Sequence, residues 1–133
     1  LGLGQPARAP LYRRMVLNLI ARNQDDHTRT VVFLMGPDGT WRLSPAFDVI
    51  WSYNPQGEWT NRHQMTINGR RDDFTRDDLL QVAGLIGNFI RVAPRVIEQV
   101  EEVVRQWPAY ARKAGVFEPQ REEIHTNLRL NLA

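Results

Sequence analysis

Apolar residues recur along this chain at two different periods, and the change from one to the other marks out its elements. Leu11, Tyr12, Met15, Val16, Leu19 and Ile20 return every three or four positions, the spacing of one helical face. Pro10, with its fixed φ and missing N–H, suits the first helical turn and is the expected start. The preceding residues, 1–10, are expected to be a flexible lead-in. The period then shortens. "VVFLM" (31–35) is β-branched and aromatic, "GPDG" (36–39) carries strong turn chemistry, and "TWRL" (40–43) brings the chain back. That pattern predicts a β-hairpin. "SPAFDVIWSYNPQGEW" follows as a loop with aromatic anchors, and residues 60–72 are polar and irregular.

From Thr75 the helical spacing resumes. Thr75 with Asp78 three positions on has the form of a capping box. Leu79, Leu80, Val82, Ala83 and Ile86 are expected to face inward, with Gly87 ending the helix. Pro94 opens a longer helix with Val96, Ile97, Val100, Val103, Val104 and Trp107 inward, and Glu98, Glu101, Glu102 and Arg105 outward. Pro108 interrupts it, and Gly115 is a natural terminator. A last helix is expected over 119–130, with Ile124 and Leu128 inward. There is no internal repeat and no low-complexity tract. The fold class is mainly α with one small β-hairpin, in a single domain over residues 11–133.

Composition changes this picture little. An apolar content of 42% and a charged content of 24% are ordinary for a soluble globular chain of 133 residues. The 17 basic and 15 acidic residues nearly cancel, so a net charge of +2 gives no mandate for nucleic-acid binding. The absence of cysteine excludes a disulfide framework and a cysteine-ligated metal and fits a reducing cytosol, so a cytoplasmic location is expected. The longest apolar run, about seven residues, is far short of a membrane span, and the N-terminus lacks a signal-peptide layout. The chain begins with Leu rather than Met, as an excised segment would. Lys113 is the only lysine, so any chemistry needing a primary amine falls to it or is absent.

Candidate chemistry concentrates in "NQDDHTRT" (23–30), between the first helix and the hairpin. Antiparallel strands of similar length return the chain to within roughly 5 Å of where it left. Asp25, Asp26 and His27 before the ribbon should therefore meet Asp48 after it. Converging carboxylates repel one another unless a cation or hydrogen-bond donors compensate. Mg²⁺ binds oxygen ligands of this kind, usually with phosphate oxygens completing its shell. A loop acid, a hairpin and a second acid preceded by a phenylalanine is the layout of protein-kinase catalytic loops. There one Asp accepts the substrate hydroxyl proton and another, beyond the hairpin, holds metal.

"LYRRMVLNLIARNQDDHTRT", then "WRLSPAFDV", then "HQMTINGR" and a helical tail together resemble the C-terminal lobe of HipA-like toxin kinases, from about Leu11 to Leu128. The resemblance implies a bacterial serine/threonine kinase of a toxin–antitoxin pair, using ATP and Mg²⁺. It implies an antitoxin of the HipB type as partner, reaching DNA only through that antitoxin, and a protein substrate such as an aminoacyl-tRNA synthetase. Asp25 then matches the catalytic aspartate of the family's N-x-D-x-H signature, which begins at Asn23, and His27 matches its histidine. Asp48 matches the metal-binding aspartate, and His63 and Asn68 fall in the family's "H…SING" stretch. Where the family has a second metal-holding residue, an asparagine, this chain has Thr30, whose hydroxyl can ligate Mg²⁺ but reaches less far than an amide oxygen. The family's ATP-gripping N-terminal lobe, with its phosphate loop and lysine, is not in this chain, so phosphoryl transfer by these residues alone is not expected.

Blander roles are assigned to the remaining residues. Asp26 reads as an exposed or loop-stabilising acid. His27 reads as structural, pinning the loop by a ring hydrogen bond to backbone, and Asn23 as loop-stabilising. His63 and His125 default to structural or solvated roles. Trp41, Phe47, Trp51 and Trp59 read as core aromatics rather than a stacking platform for bases. The competing functions are a non-catalytic pseudokinase or antitoxin-docking helical module, best supported by Thr30, and a weaker one, a metal-dependent phosphohydrolase built on Asp25, Asp26, His27 and Asp48.

Overall fold

The computed structural model describes residues 3–133; Leu1 and Gly2, the first two positions of the expected lead-in, lie outside the described residues. Helix α1 spans Gln5–Ile20. It therefore starts five residues before the expected Pro10, and residues 5–10 are helical rather than a flexible lead-in. Pro6 occupies the first turn, where a missing N–H costs nothing. Pro10 sits inside the helix, so only one ladder bond, the one it would have donated to Pro6, is lost. The apolar stripe behaves as its spacing predicts: Tyr12, Val16, Leu19 and Ile20 are buried, and Leu11 and Met15 are half-buried.

Strands β1 (Phe33–Met35) and β2 (Trp41–Leu43) form an antiparallel two-stranded sheet with Phe33 opposite Leu43, Leu34 opposite Arg42 and Met35 opposite Trp41. Gly39 takes a left-handed φ of 80° in the turn, a conformation free of cost for glycine. Helix α2 (Arg76–Gly84) opens on a complete capping box: the Thr75 side chain accepts from the Asp78 N–H while the Asp78 carboxylate accepts from the Thr75 N–H. A short 3-10 segment (Gly87–Arg91) leads into α3 (Ala93–Arg105). Helices α4 (Trp107–Lys113) and α5 (Glu118–Asn127) follow, separated at Gly115, whose φ is 74°. Helix α5 stops short of the expected residue 130, and residues 128–133 run on without helix. The fold is thus mainly α with one small hairpin, as the pattern predicted.

The core joins α1, α2 and α3. Tyr12, Val16, Leu19 and Ile20 meet Leu79, Ala83, Phe89, Val96, Ile97, Val100 and Val104, closed by Ile67 and Phe74. The Tyr12 and Phe89 rings pack edge-on with centroids 5.1 Å apart. Val103 is exposed rather than inward, because the apolar arc of α3 is already filled by its neighbours at 96, 97, 100 and 104.

The aromatic anchors depart most from expectation. Trp41, Phe47 and Trp59 are exposed and Trp51 is only half-buried; none belongs to the core. The hairpin's Leu34 and Met35 are exposed as well. Three-residue strands leave a ribbon too short to wrap onto the helices, and local apolar character cannot say whether its cover lies within the chain.

A candidate active-site loop

The loop after α1 is held open by the way that helix ends. Arg22 adopts a left-handed φ of 58°, and the Asn23 N–H reaches back to the Asn18 carbonyl, the 6→1 closure of a Schellman cap. A left-handed arginine is unusual. Its side chain offsets the strain: Nε donates to the Asn127 carbonyl, Nη1 donates to Gln24 Oε1, and the guanidinium lies 4.2 Å over the Tyr53 ring.

From there the loop pairs with the segment beyond the hairpin. The Gln24 N–H donates to the Ser52 carbonyl and the Ser52 N–H to the Arg22 carbonyl, so the two stretches run side by side as a short parallel bridge. Asn23 Nδ2 donates to the backbone carbonyl of Asp48 at 3.2 Å and to Asn18 Oδ1 at 3.1 Å. The structure thus brings Asp48 against the start of the loop, through backbone and amide hydrogen bonds. Asp48 itself has a φ of 55°, a strained setting for a non-glycine residue of the kind that clusters at functional sites. Its carboxylate has no hydrogen-bond or ion-pair partner among the described residues.

The two adjacent aspartates part company. Asp25 is exposed, and His27 Nε2 lies 3.9 Å from its Oδ2. Asp26 is buried and points the other way. Its Oδ2 meets His63 Nδ1 at 2.8 Å, and its Oδ1 accepts from the Gln64 N–H at 2.8 Å and, more weakly, from the Met65 N–H at 3.5 Å. Of the two roles left open for it, exposure is excluded, because both its oxygens are engaged inside the protein. The anticipated meeting of Asp25, Asp26, His27 and Asp48 does not occur either: no group of three or more His, Asp or Glu side chains gathers to hold a metal among the described residues. Neighbouring residues of an unwound segment project to opposite sides, so both acids could not face one ion.

His27 is a further correction. Its ring makes no hydrogen bond to backbone, and Nδ1 is buried without a partner. The loop is closed instead at its own carbonyl, which accepts from the Thr30 N–H and from Thr30 Oγ1 at 2.9 Å, around a 3-10 turn over Thr28–Thr30. Thr30 gives its hydroxyl proton away but keeps oxygen lone pairs.

A cavity of about 610 Å³ opens beside this loop. Asn23, Asp26, Thr28, Thr30 and Asp48 contribute its polar wall; Tyr12, Met15, Phe33, Phe47, Val49 and Val82 contribute to its apolar one. Asp25 is not part of the lining. Asp48, with a free carboxylate, and Thr30, with its hydroxyl oxygen, both line this cavity, and hard oxygen donors of this kind suit Mg²⁺, which takes few protein ligands and completes its shell with water and phosphate oxygens. The residues present fit such an ion.

Beneath the loop lies a polar network with no counterpart in the sequence reading. His63, fully buried, bridges Asp26 and Arg129, whose Nη1 is 3.0 Å from Nε2. Arg129 also donates to the Leu19 carbonyl, to Gln24 Oε1 and to Asp72 Oδ1. Burial acts to lower the Arg129 pKa, reinforced by the Arg22 charge and opposed by Asp72. At Asp72 burial acts in the raising direction, but the Asp73 N–H, the bond from Arg129 and the nearby guanidinium charges outweigh it and hold the carboxyl below its usual range. The histidine was visible as a motif position; nothing in the sequence marked Gln24 or Arg129, since their partners lie 105 residues apart.

The HipA-like C-terminal domain family matches residues 2–108 of the chain. This chain belongs to that family. No curated protein and no solved structure matches it. As a HipA-like C-terminal domain it carries the N-x-D-x-H stretch at Asn23, Asp25 and His27 directly after α1, and "PAFDV" directly after the hairpin. No helix among the described residues is long and apolar enough to cross a membrane.

Proposed function

We propose that this HipA-like domain is the C-terminal lobe of a serine/threonine protein kinase, transferring phosphate from ATP to a protein hydroxyl with Asp25 as the catalytic acceptor. The observation that supports it most is the hydrogen bond from Asn23 to the Asp48 carbonyl, which ties the N-x-D-x-H loop to the acid beyond the hairpin. In this reading the exposed Asp25 carboxylate receives the proton of the attacking hydroxyl. Asp48 and Thr30 are the oxygen donors that would hold Mg²⁺, and the ion, when bound, would offset charge on the transferred phosphoryl group. The 3-10 turn keeps Thr30 in place, and Asp26 fixes the loop from inside. In this reading an ATP-gripping N-terminal lobe completes the kinase. By family, a HipB-type antitoxin, a toxin role in the cytoplasm and an aminoacyl-tRNA synthetase as substrate belong to the same proposal.

The test is phosphorylation of a protein hydroxyl by this chain together with an ATP-gripping N-terminal lobe and Mg²⁺. Activity in the parent assembly and its loss in Asp25→Asn are expected; equal activity in both refutes the role of Asp25. One observation favours a second reading, a non-catalytic pseudokinase lobe. Thr30, shorter than an asparagine, spends its hydroxyl proton on the His27 carbonyl. Absence of Mg²⁺ and nucleotide binding in calorimetric titration of the complete assembly would decide for that reading.

A further inference from the structure

Asp25 is flanked on both sides by buried side chains that lead to one residue. Gln24, fully buried, accepts from Arg129 Nη2 at 3.2 Å. Asp26 is joined to Arg129 through His63. A guanidinium has five donors and no acceptor. His63 Nε2 must therefore accept from Arg129, which leaves the ring proton on Nδ1 to be donated to Asp26. The chain of bonds has one direction only, and imidazole connects a buried cation to a buried carboxylate.

Arg129 has little freedom of its own. Its backbone N–H donates to the Ile20 carbonyl and its Nη1 to the Leu19 carbonyl, two acceptors that the end of α1 leaves open. Its side chain is 9% exposed, pairs with Asp72 at 2.7 Å, and lies 5.2 Å over the Phe74 ring. Leu128, Leu130 and Leu132 of the same segment pack on the core, and Arg105 Nη2 donates to the Leu130 carbonyl. This segment lies beyond the stretch that matches the family, residues 2–108.

We infer that Arg129 is a positioning residue for Asp25: it grips the residues on either side, Gln24 directly and Asp26 through His63, and so fixes the backbone that aims the Asp25 carboxylate. The inference rests on the kinase reading of Asp25 for its effect on turnover, but not for its effect on the loop.

The experiment uses three variants. Arg129→Met keeps an unbranched apolar stem and removes every donor together with the guanidinium over Phe74. His63→Gln keeps one donor and one acceptor in a single side chain, and His63→Leu keeps neither. In the 133-residue chain, ¹⁵N-detected ring correlations should show the His63 proton on Nδ1, and Arg129→Met should speed amide exchange at residues 24–26 by about 10-fold or more. In the two-lobe assembly, Arg129→Met should lower kcat by about 10- to 100-fold, with KM for Mg–ATP changed by less than about twofold. His63→Gln should stay near the parent in kcat, and His63→Leu should fall with Arg129→Met. Unchanged loop exchange and kcat in Arg129→Met overturn the inference, as does equal kcat in the two His63 variants. Should Arg129→Met fail to fold, the His63 pair decides in the same way. Should the parent assembly phosphorylate nothing, the kinase reading fails and exchange alone decides: faster exchange in His63→Leu than in His63→Gln supports the clamp, and equal exchange overturns it.

Discussion

Replacing Asp26 by alanine should unfold far more of the protein's stability than the same change at Asp25, one position away. Asp26 is 5% exposed and accepts two hydrogen bonds of 2.8 Å, from His63 Nδ1 and the Gln64 N–H. Truncation strands both donors, one of them on a ring with no solvent exposure, at about 1–3 kcal/mol each. Arg129 keeps its direct pair with Asp72, so the cost is that of the stranded donors and not of a broken buried ion pair. The expected loss is therefore about 2–6 kcal/mol, a large share of the 5–15 kcal/mol typical of a domain. At about 4 °C per kcal/mol for a chain of this size, that corresponds to about 8–24 °C in Tm. Asp25 contacts only His27 at 3.9 Å in solvent, so Asp25→Ala should change stability by less than about 0.5 kcal/mol. Urea unfolding of the two variants beside the parent measures this, with an unchanged m-value showing that stability alone has moved. Equal losses at the two positions, or a loss below about 1 kcal/mol for Asp26→Ala, would refute the reasoning.

The remaining predictions follow from other parts of the fold. Burial pushes the Tyr12 hydroxyl up to about 12, partly opposed by Arg76, while the same group in an unfolded chain ionises near about 10. The unfolded chain therefore loses its proton first; the Tyr12 contribution is whole below about pH 10 and fades as pH rises toward 12, and Tyr12→Phe should flatten that alkaline limb. At Asp78 burial acts in the raising direction, but hydrogen bonds from Thr75 and Asn68 and the Arg70 charge outweigh it and keep the carboxyl below its usual range. Its contribution is present above about pH 4 and lost as pH falls through the lower folded value, so Asp78→Asn should weaken the acid dependence of Tm. Leu79→Ala, at a position with no exposure in α2, should cost about 2–5 kcal/mol in the same urea assay. Thr30→Asn, which supplies the longer amide oxygen, should tighten Mg²⁺ binding measured by calorimetry; an unchanged affinity would remove Thr30 from the metal's surroundings.

What the sequence made legible divides along physical lines. The helices were readable because their signals are local: the Thr75–Asp78 box, the stripe on α1 and the arc on α3 each need only a few neighbouring residues. The hairpin was readable for the same reason, since "GPDG" can only turn. The start of α1 was misplaced because two prolines compete for the first turn, and Pro6 wins while Pro10 is tolerated inside. At the site, alternation hid the difference between Asp25 and Asp26, because identical residues in sequence meet opposite environments in space. Arg129 was invisible for a different reason. Its significance exists only once α5 and the segment after it have carried residue 129 back beneath residue 24. The exposed Trp41, Phe47 and Trp59 mark the complementary limit: hydrophobicity predicts burial, not the identity of the cover.

The central claim is that the Asp25 loop and Asp48 serve one metal–nucleotide. Mn²⁺ bound with a nucleotide, added to the isotopically labelled two-lobe assembly, tests it most directly, because paramagnetic broadening falls off steeply with distance. The account predicts that amide signals of Asp25, Thr30 and Asp48 broaden together and that Asp48→Asn abolishes the effect. Broadening centred elsewhere, or broadening at Asp48 that leaves Asp25 and Thr30 sharp, would contradict it.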